Sequence, residues 1–191
     1  MKPKLLIVAD TYYPKVDGTL KFMEEFLRRS HRDFDISLLV PDFGVRKGNK
    51  VTYIETSQYF NISGYPSIKI SFKNISRIKK AIQEADLVFI QGPALLSYIS
   101  IYYSAKAGKK TLFYLHTISW ELFEQFAPPL LNKLLYAFVK RMSTSLYNRC
   151  DELLVPYPEL KNNLAANGVK TTVNIAKLGV DINLFAPIED N

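Results

Sequence analysis

Short apolar runs alternate along this chain with stretches whose apolar residues recur every three to four positions, and that alternation admits few folds. Leu5-Leu6-Ile7-Val8-Ala9 is unbroken in the way of a strand buried on both faces of a parallel sheet. Behind it, from about Thr19, Leu20, Met23, Phe26 and Leu27 trace one helical stripe. Ile36-Ser37-Leu38-Leu39-Val40, Val51-Thr52-Tyr53-Ile54, Leu87-Val88-Phe89-Ile90, Thr111-Leu112-Phe113-Tyr114-Leu115, Glu152-Leu153-Leu154-Val155 and Val173-Asn174-Ile175 read as further strands. Helices are expected from Ile75, capped by Asn74, to about Ala85, from Ala94 to Ala107 with Gly108 past its end, and from Leu130 to Arg149. A short one runs from Pro158 to Asn167, closed by Gly168. Gln58 to Phe72, broken by Gly64 and Pro66, reads as an irregular, lid-like insertion. The expected fold is α/β: a Rossmann-like, doubly wound, mostly parallel sheet of about seven strands with helices on both faces.

In such sheets ligands sit outside the carboxyl ends of the strands. Asp10 to Gly18, Gln91 to Pro93 and His116 to Glu121 all fall on that edge. Gly18 closes a loop directly before a helix, which puts unpaired N–H groups and a positive dipole end there, a seat for a diphosphate. A plain β-to-α turn uses Asp17 and Gly18 equally well. His116 ends a buried strand, with Thr117, Ser119 and Glu121 behind it. It serves either a sugar hydroxyl, with a pKa in the useful range, or a loop carbonyl as a structural histidine.

Composition excludes several classes. A hydrophobic content of 48%, with 12 Tyr and 12 Phe, is incompatible with disorder. No apolar run approaches the roughly 20 residues of a membrane span, and the apolar part of the start is too short for a secretory signal. The single cysteine, Cys150, excludes an internal disulfide and fits a reducing, cytoplasmic compartment. One Cys and two distant His give no metal-ligand cluster, so no metal site is expected. The net charge of +7 gathers in Lys69 to Lys80 and again in Lys133 to Arg149. Zinc-finger spacing, RNP motifs and a helix-turn-helix are lacking, so nucleic acid is not the expected partner. There is no G-x-G-x-x-G after the first strand, no P-loop and no G-x-S-x-G elbow. Asp33-Phe34-Asp35 has the D-x-D form but enters its strand from the amino end, the wrong edge for a site.

Asp10-Thr11-Tyr12-Tyr13-Pro14-Lys15-Val16-Asp17-Gly18 resembles the D-T-Y-x-P-x-x-N-G segment that opens the retaining, nucleotide-sugar-dependent glycosyltransferases of family four. Other segments agree in order. Ala85 to Pro93 is similar to the A-D-hydrophobic-x-H-x-x-x-P strand, with Gln91 and Gly92 departing from it. Leu115-His116-Thr117 with Glu121 resembles F-H-T-x-x-x-E, and Cys150 to Pro156 resembles the strand before the family's next helix. Leu178-Gly179-Val180-Asp181 followed by Phe185-Ala186-Pro187 resembles the N-G-V-D-x-x-x-F-x-P hinge.

The resemblance implies one half of a GT-B fold: an acceptor-side domain over residues 1–177, then a hinge over 178–191 toward a carboxyl-terminal donor-binding domain or subunit. The donor-side E-x7-E motif belongs to that other half, so residues 1–191 alone are expected to be inactive. The resemblance implies hexose transfer with retention, from a UDP- or GDP-sugar as substrate and with no cofactor. Asp17, Gly18 and Thr19 fall near the donor diphosphate, and His116 beside the transferred sugar as the catalytic residue. Asp10, Tyr13, Thr117 and Glu121 fall on the acceptor side.

The acceptor is expected to be a lipid or glycan. Basic and aromatic residues from Lys69 to Lys80, with Tyr59, Phe60 and Phe72, suggest peripheral contact with an anionic membrane, at its inner face. Two rivals share the pattern: half of a nucleotide-sugar epimerase, and a non-catalytic binding or scaffold module. The second would show an exposed apolar face around Tyr12, Tyr13 and Trp120.

Overall fold

The computed structural model describes residues 1–62, 65–118, 120–121 and 132–179. In chain order the elements are β1 (Lys4–Ala9), α1 (Gly18–Ser30), β2 (Asp35–Asp42), β3 (Val51–Ile62), β4 (Tyr65–Ile68), α2 (Phe72–Glu84), β5 (Leu87–Gln91), α3 (Leu95–Lys106), β6 (Lys110–Tyr114), α4 (Asn132–Tyr147), β7 (Glu152–Val155), α5 (Pro158–Ala166) and β8 (Thr172–Ile175). One eight-stranded sheet runs β4-β3-β2-β1-β5-β6-β7-β8. Every pairing is parallel except β3 with β4. Strand order reverses between β1 and β5, so the crevice for a ligand opens outside the carboxyl ends of those two strands.

The continuous apolar runs became strands because both faces of the sheet are covered. On one face Leu6, Val8, Val88 and Ile90 join a core with residues of α2, α3, α4 and α5. On the other, Leu5, Ile7, Ala9, Phe89 and Tyr114 pack with Leu20 and Met23 of α1. Gly108 and Gly168, at φ +63° and +85°, end α3 and α5 in the left-handed form expected of them.

Two expectations need correction. The Gln58–Phe72 segment is not an irregular insertion: β3 runs on to Ile62 and β4 pairs back against it antiparallel, giving the eighth strand. Pro66 is accommodated because β4 is an edge strand, where a missing N–H is tolerated. Nor does Asn74 cap α2. The cap is Ser71, whose hydroxyl accepts from the Asn74 N–H at 3.2 Å. Asn74 is fully buried and acts as a substitute strand instead. Its Oδ1 accepts from the Glu55 N–H at 3.1 Å, and its Nδ2 donates to the carbonyls of Glu55 (2.9 Å) and Lys69 (2.8 Å). That satisfies the edge of β3 where β4 no longer covers it. Asn74→Ala is expected to lower stability by about 3 kcal/mol, since it strands buried backbone groups, and Asn74→Asp to recover little. Chemical denaturation checks this.

Among the described residues no helix is long and apolar enough to cross a membrane.

Candidate functional site at the carboxyl rim of the sheet

Asp17 is the N-cap of α1: its Oδ1 accepts from the Leu20 N–H at 2.9 Å and from the Thr11 hydroxyl at 3.3 Å. The N–H groups of Gly18 and Thr19, in the first turn, have no intrahelical acceptor and face the rim with the positive dipole end. A Cβ at Gly18 would meet nothing within 4 Å. Internal packing therefore does not require glycine at the helix start; it leaves the backbone open to approach from outside.

His116 stands beside this turn. Its ring lies edge-on to Tyr114 (centroids 4.5 Å apart) and to Phe22 of α1 (6.1 Å). Burial pushes its pKa below the usual histidine value, and the nearby Asp17 carboxylate pulls partly the other way. The ring is thus neutral at pH 7, and its buried Nε2 has no hydrogen-bond partner among the described residues. The α1 turn and the imidazole share one rim and one face of the sheet.

Asp10 does something the sequence did not disclose. It is half-buried just past the end of β1 and caps α3, whose own cap residue, Ala94, has no polar side chain to do so. Its carboxylate accepts from the N–H of Ala94 (3.0 Å), the N–H of Ser97 (3.3 Å) and the hydroxyl of Ser97 (2.5 Å). Burial raises its pKa, while the donors from Ser97, Ala94 and Leu96 oppose the rise. Gly92, at φ +106°, passes so close that a Cβ there would sit 2.8 Å from Asp10 Oδ2. Asp10 and Gly92 together fix the floor of the crevice.

Other candidates lie further apart. Tyr13 gives its hydroxyl to Glu24, and the Lys47 ammonium sits 3.9 Å from its ring centre. Thr117 is exposed beside His116. Glu121 is exposed and accepts from Asn163 Nδ2 on α5 at 2.9 Å, so its described partner lies away from the α1 turn. Of the apolar face expected around Tyr12, Tyr13 and Trp120, Tyr12 and Trp120 are buried, at 4% and 1% exposure, and Tyr13 is half-buried. Tyr12 donates to the Lys47 carbonyl at 2.8 Å, with its pKa pushed up to about 12 by burial. Ser119 and the hinge from 180 onward lie outside the described residues.

Gln91 was legible only as a departure from a motif. It is fully buried at the end of β5, in register with Ala9 and Tyr114, on the same sheet face as His116. Neither Oε1 nor Nε2 has a partner among the described residues. The available signal was one amide ending a purely apolar strand. The Gln91 amide and the His116 Nε2, both without partners among the described residues, therefore line adjacent strand ends under the α1 turn. Gln91→Leu is expected to raise stability by about 1–2 kcal/mol, because it removes an unsatisfied buried amide of similar volume. A denaturation midpoint that falls instead would mean the amide has a partner in solution.

Two solved structures share this architecture. A UDP-GlcNAc 2-epimerase from Methanocaldococcus jannaschii superposes with a TM-score of 0.52 at 14% identity, over 90% of this chain and 45% of that one. A putative UDP-N-acetylglucosamine 2-epimerase from Listeria monocytogenes gives 0.52 at 14% identity, over 91% and 44%. The chain thus spans less than half the length of these structures, and at such identity the likeness is one of fold. No curated protein matches the sequence. The model of Glycosyltransferase Family 4 matches residues 16–184, from the α1 loop through the last strand. With most of its length inside that match, the chain belongs to glycosyltransferase family 4.

Proposed function

We propose that this chain forms the acceptor-side half of a retaining transferase that moves a hexose from a UDP- or GDP-sugar to a lipid or glycan acceptor. The observation that carries the reading is the pairing at one rim of an open helix N-terminus with a neutral His116 whose Nε2 has no partner among the described residues. A donor-binding domain or subunit, reached through residues 178–191, closes the cleft from the other side. The Gly18 and Thr19 N–H groups and the α1 dipole offset charge on the departing diphosphate, with Asp17 holding the turn. His116 touches the transferred sugar, its Nε2 supplying a hydrogen bond to a hydroxyl. Tyr13, Thr117 and Glu121 border the acceptor approach, and Asp10 acts through α3 as a positioning residue. Residues 1–191 alone are expected to bind nucleotide sugars weakly, because the donor-reading groups belong to the other half.

The test is product analysis on the protein at its natural length. Supplied with UDP- and GDP-hexoses and candidate acceptors, it should yield a glycoside whose anomeric configuration, read by proton NMR, equals that of the donor. An epimerised nucleotide sugar formed without acceptor would replace this reading with the epimerase one. Donor binding without any product would leave a binding module.

A further inference from the structure

The helices α2, α3 and α4 lie side by side on one face of the sheet. Tyr98 of α3 meets Ser143 of α4 at 3.3 Å, and Lys79 of α2 sits 4.8 Å from the Tyr103 ring centre on α3. The middle helix is apolar nearly all round. Leu96 and Ile101 are buried with Ser97, Ser100 and Ser104, Leu95, Tyr98, Ile99 and Tyr103 pack partly buried against the core, and Tyr102 is left exposed at 42%. A helix with water on its outer face ordinarily places polar residues there rather than an aromatic ring. Its neighbours continue the pattern: Phe72, at the start of α2, is 98% exposed, Ile70 just before it 70%, and Phe138 on α4 64%.

Charge on this face is mostly positive, with Glu84 paired to Lys80 at 3.9 Å as the exception. α3 and α4 contain no carboxylate, and α2 contains only Glu84. Exposed Lys79, Lys80, Lys106 and Arg141 stand among the apolar side chains, and Arg149 lies 5.4 Å from the Tyr102 ring centre. On the opposite face of the sheet, α1 intersperses Glu24 and Glu25 with its cations.

We propose that the outer face of the α2–α3–α4 layer docks on an anionic phospholipid bilayer. Cations meet the phosphates, Tyr102 takes the headgroup level, and Phe72 and Phe138 enter the acyl boundary. A nucleic-acid backbone would satisfy the cations but leave those exposed phenylalanines in water. The surface extends well beyond the Lys69–Lys80 segment, and it stands whether or not the transfer reading does.

Vesicle co-sedimentation of the full chain tests it, with phosphatidylcholine alone and mixed with phosphatidylglycerol. Binding to the mixed vesicles only, released by salt, is expected. Phe72→Ser with Phe138→Ser, and separately Lys106→Glu with Arg141→Glu, should each lower partitioning by about tenfold or more. All four residues are exposed, so unchanged circular dichroism should accompany the loss. Equal binding to neutral vesicles, no binding, retention of binding in both double variants, or preference for an oligonucleotide over the mixed vesicles would each overturn the proposal.

Discussion

Asp10→Ala is expected to lower the stability of the fold by about 3 kcal/mol, a large share of the 5–15 kcal/mol typical of a domain. The reason lies in α3. An ordinary N-cap replacement costs about 1 kcal/mol, but here the cap arrives from another strand and its removal strands the two Ser97 donors away from water. The N–H groups of Ala94 and Ser97 and the Ser97 hydroxyl all lose their acceptor at once. Water cannot readily replace it, because Ser97 is fully buried. Asp10→Asn should recover part of the loss, since one oxygen remains to accept while the amide NH2 opposes a donor. Gly92→Ala should be similarly damaging, through a Cβ 2.8 Å from Asp10 Oδ2 and a backbone at φ +106° that alanine rarely adopts. The acid limb of stability follows from the raised Asp10 pKa. Where the unfolded carboxyl has released its proton and the folded one has not, folding takes up a proton. That contribution is complete below the unfolded value of 3.8 and is lost as pH rises through the folded value. Asp10→Asn should abolish it, which denaturation across the acid range would show.

What the sequence disclosed and what it hid divide along physical lines. Leu5 to Ala9 and Leu87 to Ile90 were readable because a strand covered on both faces needs apolar side chains at every position. β4 was hidden because an edge strand tolerates Pro66, and the adjoining part of β3, Glu55-Thr56-Ser57, is polar where only partial burial is required. The α2 boundary was misplaced because Ser71 and Asn74 are both cap residues three positions apart. Which one caps depended on the β3 edge claiming Asn74, a choice made by tertiary contact. At the site, Gly18 and His116 could be placed on one rim from strand ends alone. That Asp10 caps α3 from a distant strand could not, since the 84-residue separation from Ala94 leaves no local trace. Gln91 lay in view as an amide in an apolar strand, but its lack of partners belongs to the packed structure.

His116→Ala should reduce turnover of the protein at its natural length by about 10²–10³-fold, with a much smaller effect on donor affinity. The imidazole is held from two sides, by Tyr114 and Phe22, and Nε2 has no partner among the described residues. His116→Asn distinguishes positioning from packing: its amide can restore a hydrogen bond near the same place, so partial recovery of kcat without recovery of stability marks contact with substrate. Stability supplies an independent readout of the opposite character. Because burial lowers the folded pKa, the unfolded ring takes up a proton that the folded one does not. The native state therefore loses stability as pH falls from the unfolded value of 6.5 through the folded one, and His116→Ala should flatten that slope. Below that lowered value the ring becomes cationic beside the α1 N-terminus, where the dipole disfavours it, so activity should fall on the acid side with it. Loss of the acid-side slope in stability together with unchanged turnover in His116→Ala would reduce the residue to packing and remove the transfer reading's central group.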